Sequence, residues 1–210
     1  MSPMTERQAD VVVIGSGPGG YVAAIRLAQL GNKVLVVERD ALGGVCLNWG
    51  CIPSKAMIAA SHLVEAIQHG APMGIKVDGL SVDMAAMKTW KHGIVKRLTG
   101  GVGELFKRNG IELLSVEAAF ASATEIKVKS REGVVTVRTK QTLIASGARP
   151  VRLPGLDIDG QRVITSKEAL DLTAPPANFL VVGGGIVGCE IGTYLAKLGS
   201  RVTILELGPQ

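Results

Sequence analysis

The sequence predicts an α/β fold with two parallel strand–helix–strand units and a small antiparallel insertion. Three observations lead there. A short apolar, β-branched run followed by G-x-G-x-x-G and an amphipathic helix occurs twice. The two copies keep one offset, 168 residues, from Gly15 to Gly183 and from Glu38 to Glu206. The composition is 47% hydrophobic, with 27 glycines and 3% aromatics, which suits tight strand-to-helix turns better than an all-β sandwich.

The first unit opens at residues 10–14, DVVVI, which reads as a buried parallel strand ending on glycine. Gly15, Gly17 and Gly20 form the motif. Ala23, Ala24, Leu27, Ala28 and Leu30 give the following helix an apolar face, and Gly31 stops it. Residues 34–37 are the next strand, with Glu38 at its end. The first glycine permits the tight turn, the second lets a pyrophosphate approach the backbone, and the third lets helix pack on strand. The helix N-terminus favours negative charge, and Glu38 is placed to accept hydrogen bonds from an adenosine ribose. A purely structural glycine turn leaves Glu38 unexplained, and no Gly-Lys-Ser/Thr follows to make a P-loop. The unit is a Rossmann-like dinucleotide site.

Residues 43–55, GGVCLNWGCIPSK, come directly after it. The C-x4-C spacing of Cys46 and Cys51 is not the C-x2-C of a zinc site, and no second pair or nearby His completes one, so no metal is expected. Five residues of regular helix rise about 7.5 Å, more than the roughly 7 Å that bridged Cα atoms allow. A disulfide here needs a distorted segment, with Cys46 near a bend and Cys51 in the first turn of a helix. Gly43, Gly44 and Gly50 permit that distortion. A helix N-terminus would favour the Cys51 thiolate. Two buried structural cysteines are the plainer alternative.

Pro53 suits a first helical turn, and residues 55–67 continue as helix with Met57, Ile58, Leu63, Val64 and Ile67 as its apolar positions. His62 and His69 have no ligand pattern around them. Residues 82–109 read as one long amphipathic helix. Its core-facing stripe is Met84, Met87, Ile94, Val95, Leu98, Val102, Leu105 and Phe106, with His92 towards solvent. Residues 111–120, 125–129 and 134–139 read as strands, the last two as an antiparallel meander, and 142–145 as a separate buried strand. Residues 151–176 form a connector in which Ser166 caps a short helix and Ala169 faces inward. The second unit has strands at 179–182 and 201–205 around Gly183, Gly185 and Gly188. Glu206, with no Arg beside it, argues for NAD rather than NADP. Cys189 reads as a small core residue. Three segments are expected: 1–150 nucleotide-binding, 151–176 connector, and 177–210 the start of a second nucleotide domain, truncated because a parallel sheet needs more strands.

Composition excludes several classes. A net charge of +5 comes from scattered Lys and Arg without runs or aromatic interleaving, so no nucleic acid is expected. Three cysteines are too few for a secreted disulfide scaffold. The chain has no 18-residue apolar span, so no membrane helix is expected. The head, MSPMTERQA, fits neither a signal nor a transit peptide. A cytoplasmic protein is the expectation.

Taken together, residues 9–208 resemble the flavin-dependent pyridine nucleotide-disulfide oxidoreductases. CLNWGCIPSK, with TWK at 89–91 and LTGG at 98–101, is closest to the branch of that family that oxidises dihydrolipoamide. The resemblance implies FAD on the first unit, at Gly15, Gly17, Gly20, Glu38, Arg39, Gly44, Val45, Cys46, Lys55, Ala118, Ser146 and Gly147. Ser146 stands where Ala is more usual. It implies NAD on the second unit, at Gly183, Gly185, Ile186, Gly188 and Glu206, and Ile186 stands where glutathione reductases carry a tyrosine. It also implies a Cys46–Cys51 redox disulfide, with Cys51 against the flavin and Cys46 as the interchange thiol. Lys55 would lie near the flavin N5, paired with Glu190. The implied substrate is the lipoyl group of a 2-oxoacid dehydrogenase or glycine cleavage complex, and the implied full-length form is a homodimer. None of His62, His69 or His92 matches the family's catalytic His, so the 210 residues alone are expected to show little or no lipoamide activity. A mercuric or glutathione-type reductase and a non-catalytic nucleotide-binding fragment are the rival readings.

Overall fold

The computed structural model describes residues 6–130 and 133–208. The outer ends of the expected terminal segments, 1–5 and 209–210, lie outside the described residues. The chain divides into two compact units: Met1–Asn48 with Arg97–Arg149, and Trp49–Lys96 with Pro150–Gln210.

The strands of the first unit are β1 (Glu6–Ile14), β2 (Val34–Glu38), β3 (Glu112–Ser115), β4 (Glu117–Ser122), β5 (Glu125–Ser130) and β6 (Gly133–Ile144). They form one sheet in the order β3-β2-β1-β6-β5-β4. β1 runs parallel to β2 and β6, and β2 parallel to β3, while β4, β5 and β6 are antiparallel neighbours. The β-branched run sets the register: Val12 faces Leu35 on one side and Thr142 on the other. Val12, Val13 and Val36 are wholly buried, each worth roughly 1.5–3 kcal/mol of burial. The core continues through Ala9, Leu35, Val37, Ile126, Val128 and Val137. Two helices follow strand ends here, α1 (Pro18–Gln29) after β1 and α2 (Gly44–Trp49) after β2.

Two strand expectations are corrected. The runs at 134–139 and 142–145 are one continuous strand, β6, which β1 pairs along its length from Thr136 to Ile144. The polar Lys140-Gln141 step hides that continuity in the sequence; Lys140 stays in the strand and reaches Asp10 at 2.8 Å. Conversely, 111–120 is two strands. The N–H of Val116 turns to the Leu114 carbonyl at 3.1 Å, which ends pairing with β2 and starts β4. The antiparallel meander therefore has three strands.

The second unit holds α3 (Cys51–Gln68), the first half of α4 (Met84–Arg108), α5 (Ser166–Ala169), β7 (Asn178–Val182), α6 (Ile186–Lys197) and β8 (Arg201–Leu205). β7 and β8 pair in parallel, Phe179 opposite Val202 and Val181 opposite Ile204. Met57, Met84, Ala169, Leu170, Ile191, Tyr194 and Leu195 form its core. Three details differ from expectation. Thr165, not Ser166, caps α5, because Glu168 closes a capping box on it. Cys189 is exposed, since α6 turns Ile191, Tyr194 and Leu195 inward and Cys189 lies on the other side. On α4, Val102 and Phe106 are buried but Leu98 and Leu105 are exposed, so the apolar stripe is wider than the buried face. Among the described residues, no helix is long and apolar enough to cross a membrane, and no group of three or more His, Cys, Asp or Glu could hold a metal ion.

Candidate active site

The first glycine loop is built by backbone contact. Gly15 leaves β1 with φ +98° and donates its N–H to Val37 O at 2.8 Å. A Cβ on Gly20 would lie 2.0 Å from the Gly15 carbonyl oxygen, so only glycine lets α1 start this close to β1. Gly17 is the N-cap of α1, and no side chain caps it. The N-terminal end of that helix is thus free to meet an anion. Glu38, at the end of β2, accepts hydrogen bonds from Ser16 N at 2.8 Å and Ser16 Oγ at 2.7 Å. Ser16, wholly buried, was not read from the sequence; its only signal is its place inside the motif. Arg39 is exposed in the bend that follows.

The dithiol segment begins against this loop. Gly43 donates to Ser16 O at 3.0 Å, and a Cβ on Gly44 would come within 2.7 Å of Gly17 Cα. Val45 is exposed and Cys46 half-buried on α2. Cys46 and Cys51 are disulfide-bonded. The chain achieves this by interrupting the helix. α2 ends at Trp49, Gly50 takes a non-helical conformation, and Cys51 starts α3. The break lies at Gly50, and Cys46 sits in the short helix α2, just after the positive-φ turn at Gly43 and Gly44. Cys51 is the more exposed of the two. Its position at the start of an 18-residue helix favours a thiolate.

One turn further on, α6 grips the start of α3. Glu190 accepts from Ser54 Oγ at 2.8 Å and is ion-paired through its other oxygen with Lys55. The Lys55 hydrogen bond, helped by that of Ser54, holds the Glu190 carboxyl below its ordinary range against a desolvation that would raise it. Ser54 Oγ also lies 3.2 Å from the Cys51 carbonyl oxygen, between Glu190 and the Cys51 backbone. In the sequence Ser54, with Leu47 and Ile52, carries the family resemblance of residues 46–55, but nothing there shows its contact with Glu190.

The second glycine loop repeats the first. Gly183 has φ +106°, and a Cβ on Gly188 would lie 2.5 Å from its carbonyl oxygen. Gly185 caps α6 without a side-chain bond. Glu206 accepts from Gly184 N at 2.6 Å and from the Leu207 and Gly208 N–H groups. The Gly208, Gly184 and Leu207 N–H groups together lower its pKa. Ile186 is 78% exposed at the loop.

The remaining residues are placed as follows. Ala118 pairs with Val128 on β4 and packs on the first unit's core. Ser146 and Gly147 are exposed just beyond β6, next to Ala145, whose carbonyl approaches Gly15. The three histidines serve local contacts. His62 lies 3.0 Å from Lys197, His69 2.9 Å from Glu65 O, and His92 3.0 Å from Asp171.

A G-x-G-x-x-G loop that leads into a disulfide-bonded cysteine pair is the arrangement of an α/β disulfide-oxidoreductase family. The chain belongs to the pyridine nucleotide-disulphide oxidoreductase family, whose sequence profile matches residues 9–210. It is 47% identical over 199 residues to the dihydrolipoyl dehydrogenase of Geobacillus stearothermophilus, covering 95% of this chain and 42% of that protein. It is 45% identical over 203 residues to that of Bacillus subtilis, covering 97% of this chain and 43% of that protein. For that of Staphylococcus aureus the identity is 46% over 199 residues, covering 95% and 42%. The chain thus spans about two-fifths of the length of the curated relatives it matches. The family read from residues 43–55 is the family found.

Proposed function

We propose that the chain carries the FAD-binding and dithiol elements of a dihydrolipoyl dehydrogenase, which oxidises dihydrolipoamide to lipoamide with NAD+ as acceptor. The observation that carries this reading is the Cys46–Cys51 disulfide, two residues beyond the close approach of Gly44 to Gly17. The relatives named above support the substrate, and the second glycine loop with Glu206 supports NAD+. The first loop fits FAD. Gly15, Gly17 and Gly20 with the uncapped start of α1 would take the pyrophosphate, and Glu38 the ribose. Bound FAD supplies the two-electron carrier between the dithiol and the nicotinamide.

The chain's own chemistry is thiol–disulfide exchange. A thiolate of dihydrolipoamide attacks Cys46 Sγ, the Cys46–Cys51 bond breaks, and Cys51 leaves as a thiolate. The second substrate thiol then attacks the substrate sulfur of the mixed disulfide, closing lipoamide and releasing Cys46 as a thiol. The substrate loses two electrons and two protons; the disulfide gains the electrons, one proton ends on Cys46 and one in solvent. Attack falls on Cys46 because the better leaving thiolate is the one at the start of α3. Glu190 holds the Lys55 ammonium one turn from that sulfur. The reading places the protein in the cytoplasm as a homodimer acting on the lipoyl group of a 2-oxoacid dehydrogenase or glycine cleavage complex.

The test is stoichiometric. The purified chain is titrated with FAD, then with dihydrolipoamide, and its new thiols are alkylated and located by mass. One equivalent of dihydrolipoamide is expected to give two new thiols, at Cys46 and Cys51, and a second equivalent to bleach the flavin's visible absorbance; Cys46→Ser abolishes both. A chain that takes no FAD, or whose disulfide dihydrolipoamide opens no faster than a monothiol does, overturns the reading.

A further inference from the structure

We propose that Ser166 and Lys167 form a clamp on Trp49 that sets the redox equilibrium of the Cys46–Cys51 pair; the inference rests on reading that pair as redox-active. Trp49 is the last residue of α2, one glycine before Cys51. Ser166 Oγ donates to the Trp49 carbonyl at 3.3 Å. Lys167 Nζ lies 4.8 Å from the centroid of the Trp49 ring, within cation–π range. Backbone and ring of the same residue are therefore held from one short segment.

That segment is fixed far beyond what its length requires. α5 has only four residues and could not persist alone. The Thr165–Glu168 capping box closes its start, with Thr165 N and Oγ1 donating to Glu168 at 2.8 and 2.6 Å. Tyr194, wholly buried, donates its hydroxyl to Ala169 O at 2.6 Å. Lys91, 2% exposed, donates to Leu170 O at 2.7 Å and pairs with Asp171. A buried lysine and a buried tyrosine spent on two consecutive carbonyls make α5 a rigid platform. What it presents, Ser166 and Lys167, meets Trp49.

The consequence concerns the dithiol form. A disulfide's equilibrium with external thiols depends on the effective concentration of its two sulfurs once the bond is open. Gly50 is the break between α2 and α3, and Trp49 is the helical residue that leads into it. Pinning Trp49 keeps the opened sulfurs near bridging geometry and favours the oxidised form. Releasing it spreads the open ensemble and favours reduction. Ser166 and Lys167 are thus positioning residues.

The experiment equilibrates the 210-residue chain in glutathione redox buffers, quenches it in acid and counts alkylated thiols by mass. Lys167→Met and Ser166→Ala are expected to lower the disulfide's equilibrium constant about three- to tenfold. Lys167→Arg, which keeps a cation over the ring, is expected to retain the unaltered value, which a general loss of packing would not. In Trp49→Leu, adding Lys167→Met is expected to change nothing further. A reducible disulfide whose constant is unmoved by Lys167→Met and Ser166→Ala overturns the clamp alone, as does Lys167→Arg behaving like Lys167→Met. A disulfide that no glutathione ratio opens in the unaltered chain overturns the clamp together with the redox reading.

Discussion

The carboxylate of Glu38 holds Ser16 twice, by its backbone N–H at 2.8 Å and by its hydroxyl at 2.7 Å. The same contact recurs in the second unit, where Glu206 takes the N–H of Gly184 at 2.6 Å. In each unit the acid at the end of the second strand ties down the residue after the first glycine. The acid thus shapes the loop, and on the function proposed above it would also accept from a ribose.

Replacing Glu38 should therefore cost both stability and affinity. Glu38→Ala removes two hydrogen bonds to a buried serine, each worth about 1 kcal/mol net, and the ribose acceptor with them. FAD affinity, read by flavin fluorescence titration, should fall at least about tenfold. Ser16→Ala keeps the backbone bond and should weaken binding much less. Equal affinities for Glu38→Ala and the unaltered chain would mean that the acid is not part of the cofactor site.

The two adjacent glycines of α1 should behave oppositely. A Cβ on Gly20 meets Gly15 O at 2.0 Å, and that oxygen cannot retreat because Gly15 N is bonded to Val37 O. Gly20→Ala should lose about 3 kcal/mol, the upper end of overpacking costs. Gly19 has nothing within 4 Å of its would-be Cβ, and it is helical. Gly19→Ala should be neutral or gain up to about 1 kcal/mol. Urea unfolding of the two variants decides it; comparable losses would show that helix start, not strand approach, limits this site.

The sequence made the nucleotide units legible because their signals are local. Apolar β-branched runs, fixed glycine spacing and a terminal acid all lie within one strand–helix–strand stretch. The break between Cys46 and Cys51 was legible too, since a regular helix cannot bring the two together. What stayed hidden depends on distant partners. β6 looks like two strands until β1 is seen beside it, because Lys140 and Gln141 interrupt its apolar pattern. Ser54, Trp49 and Lys91 gain meaning from Glu190, Ser166, Lys167 and Asp171, all more than 75 residues away in the chain. Cys189 shows the limit of composition: small and apolar by type, it falls on the outer side of α6 because Ile191 and Tyr194 fix which side is inner.

Lys91 is a strong candidate for a single-residue stability loss. It is 2% exposed, whereas the side chain of its partner Asp171 is 43% exposed. Lys91→Met keeps the buried stem but leaves the Leu170 carbonyl without its donor, at a cost of about 1–3 kcal/mol. Asp171→Asn keeps an acceptor for Lys91 and should cost less, because the carboxylate can turn to water. Urea midpoints should rank Lys91→Met below Asp171→Asn; the reverse order would place the energy of the pair on the acid.

Glu190 should give the second unit an acid-sensitive component of stability. Lys55, then Ser54, lowers its carboxyl pKa in the folded chain, while the unfolded value stays near 4.5. A depressed carboxyl pKa adds stability that is fully present above the unfolded value and is lost as pH falls through the folded one. Glu190→Gln has no such proton to take up. The difference in unfolding free energy between the unaltered chain and Glu190→Gln should be constant above about pH 6 and shrink as pH falls below about 4.5. The other carboxylates titrate in both proteins and cancel in the difference. Lys55→Met should make that shrinkage smaller, because removing the hydrogen bond and charge that favour the ionised form brings the folded pKa closer to the unfolded one. A difference that stays flat from pH 7 to 3 would show that the Lys55–Glu190 pair contributes by shape alone.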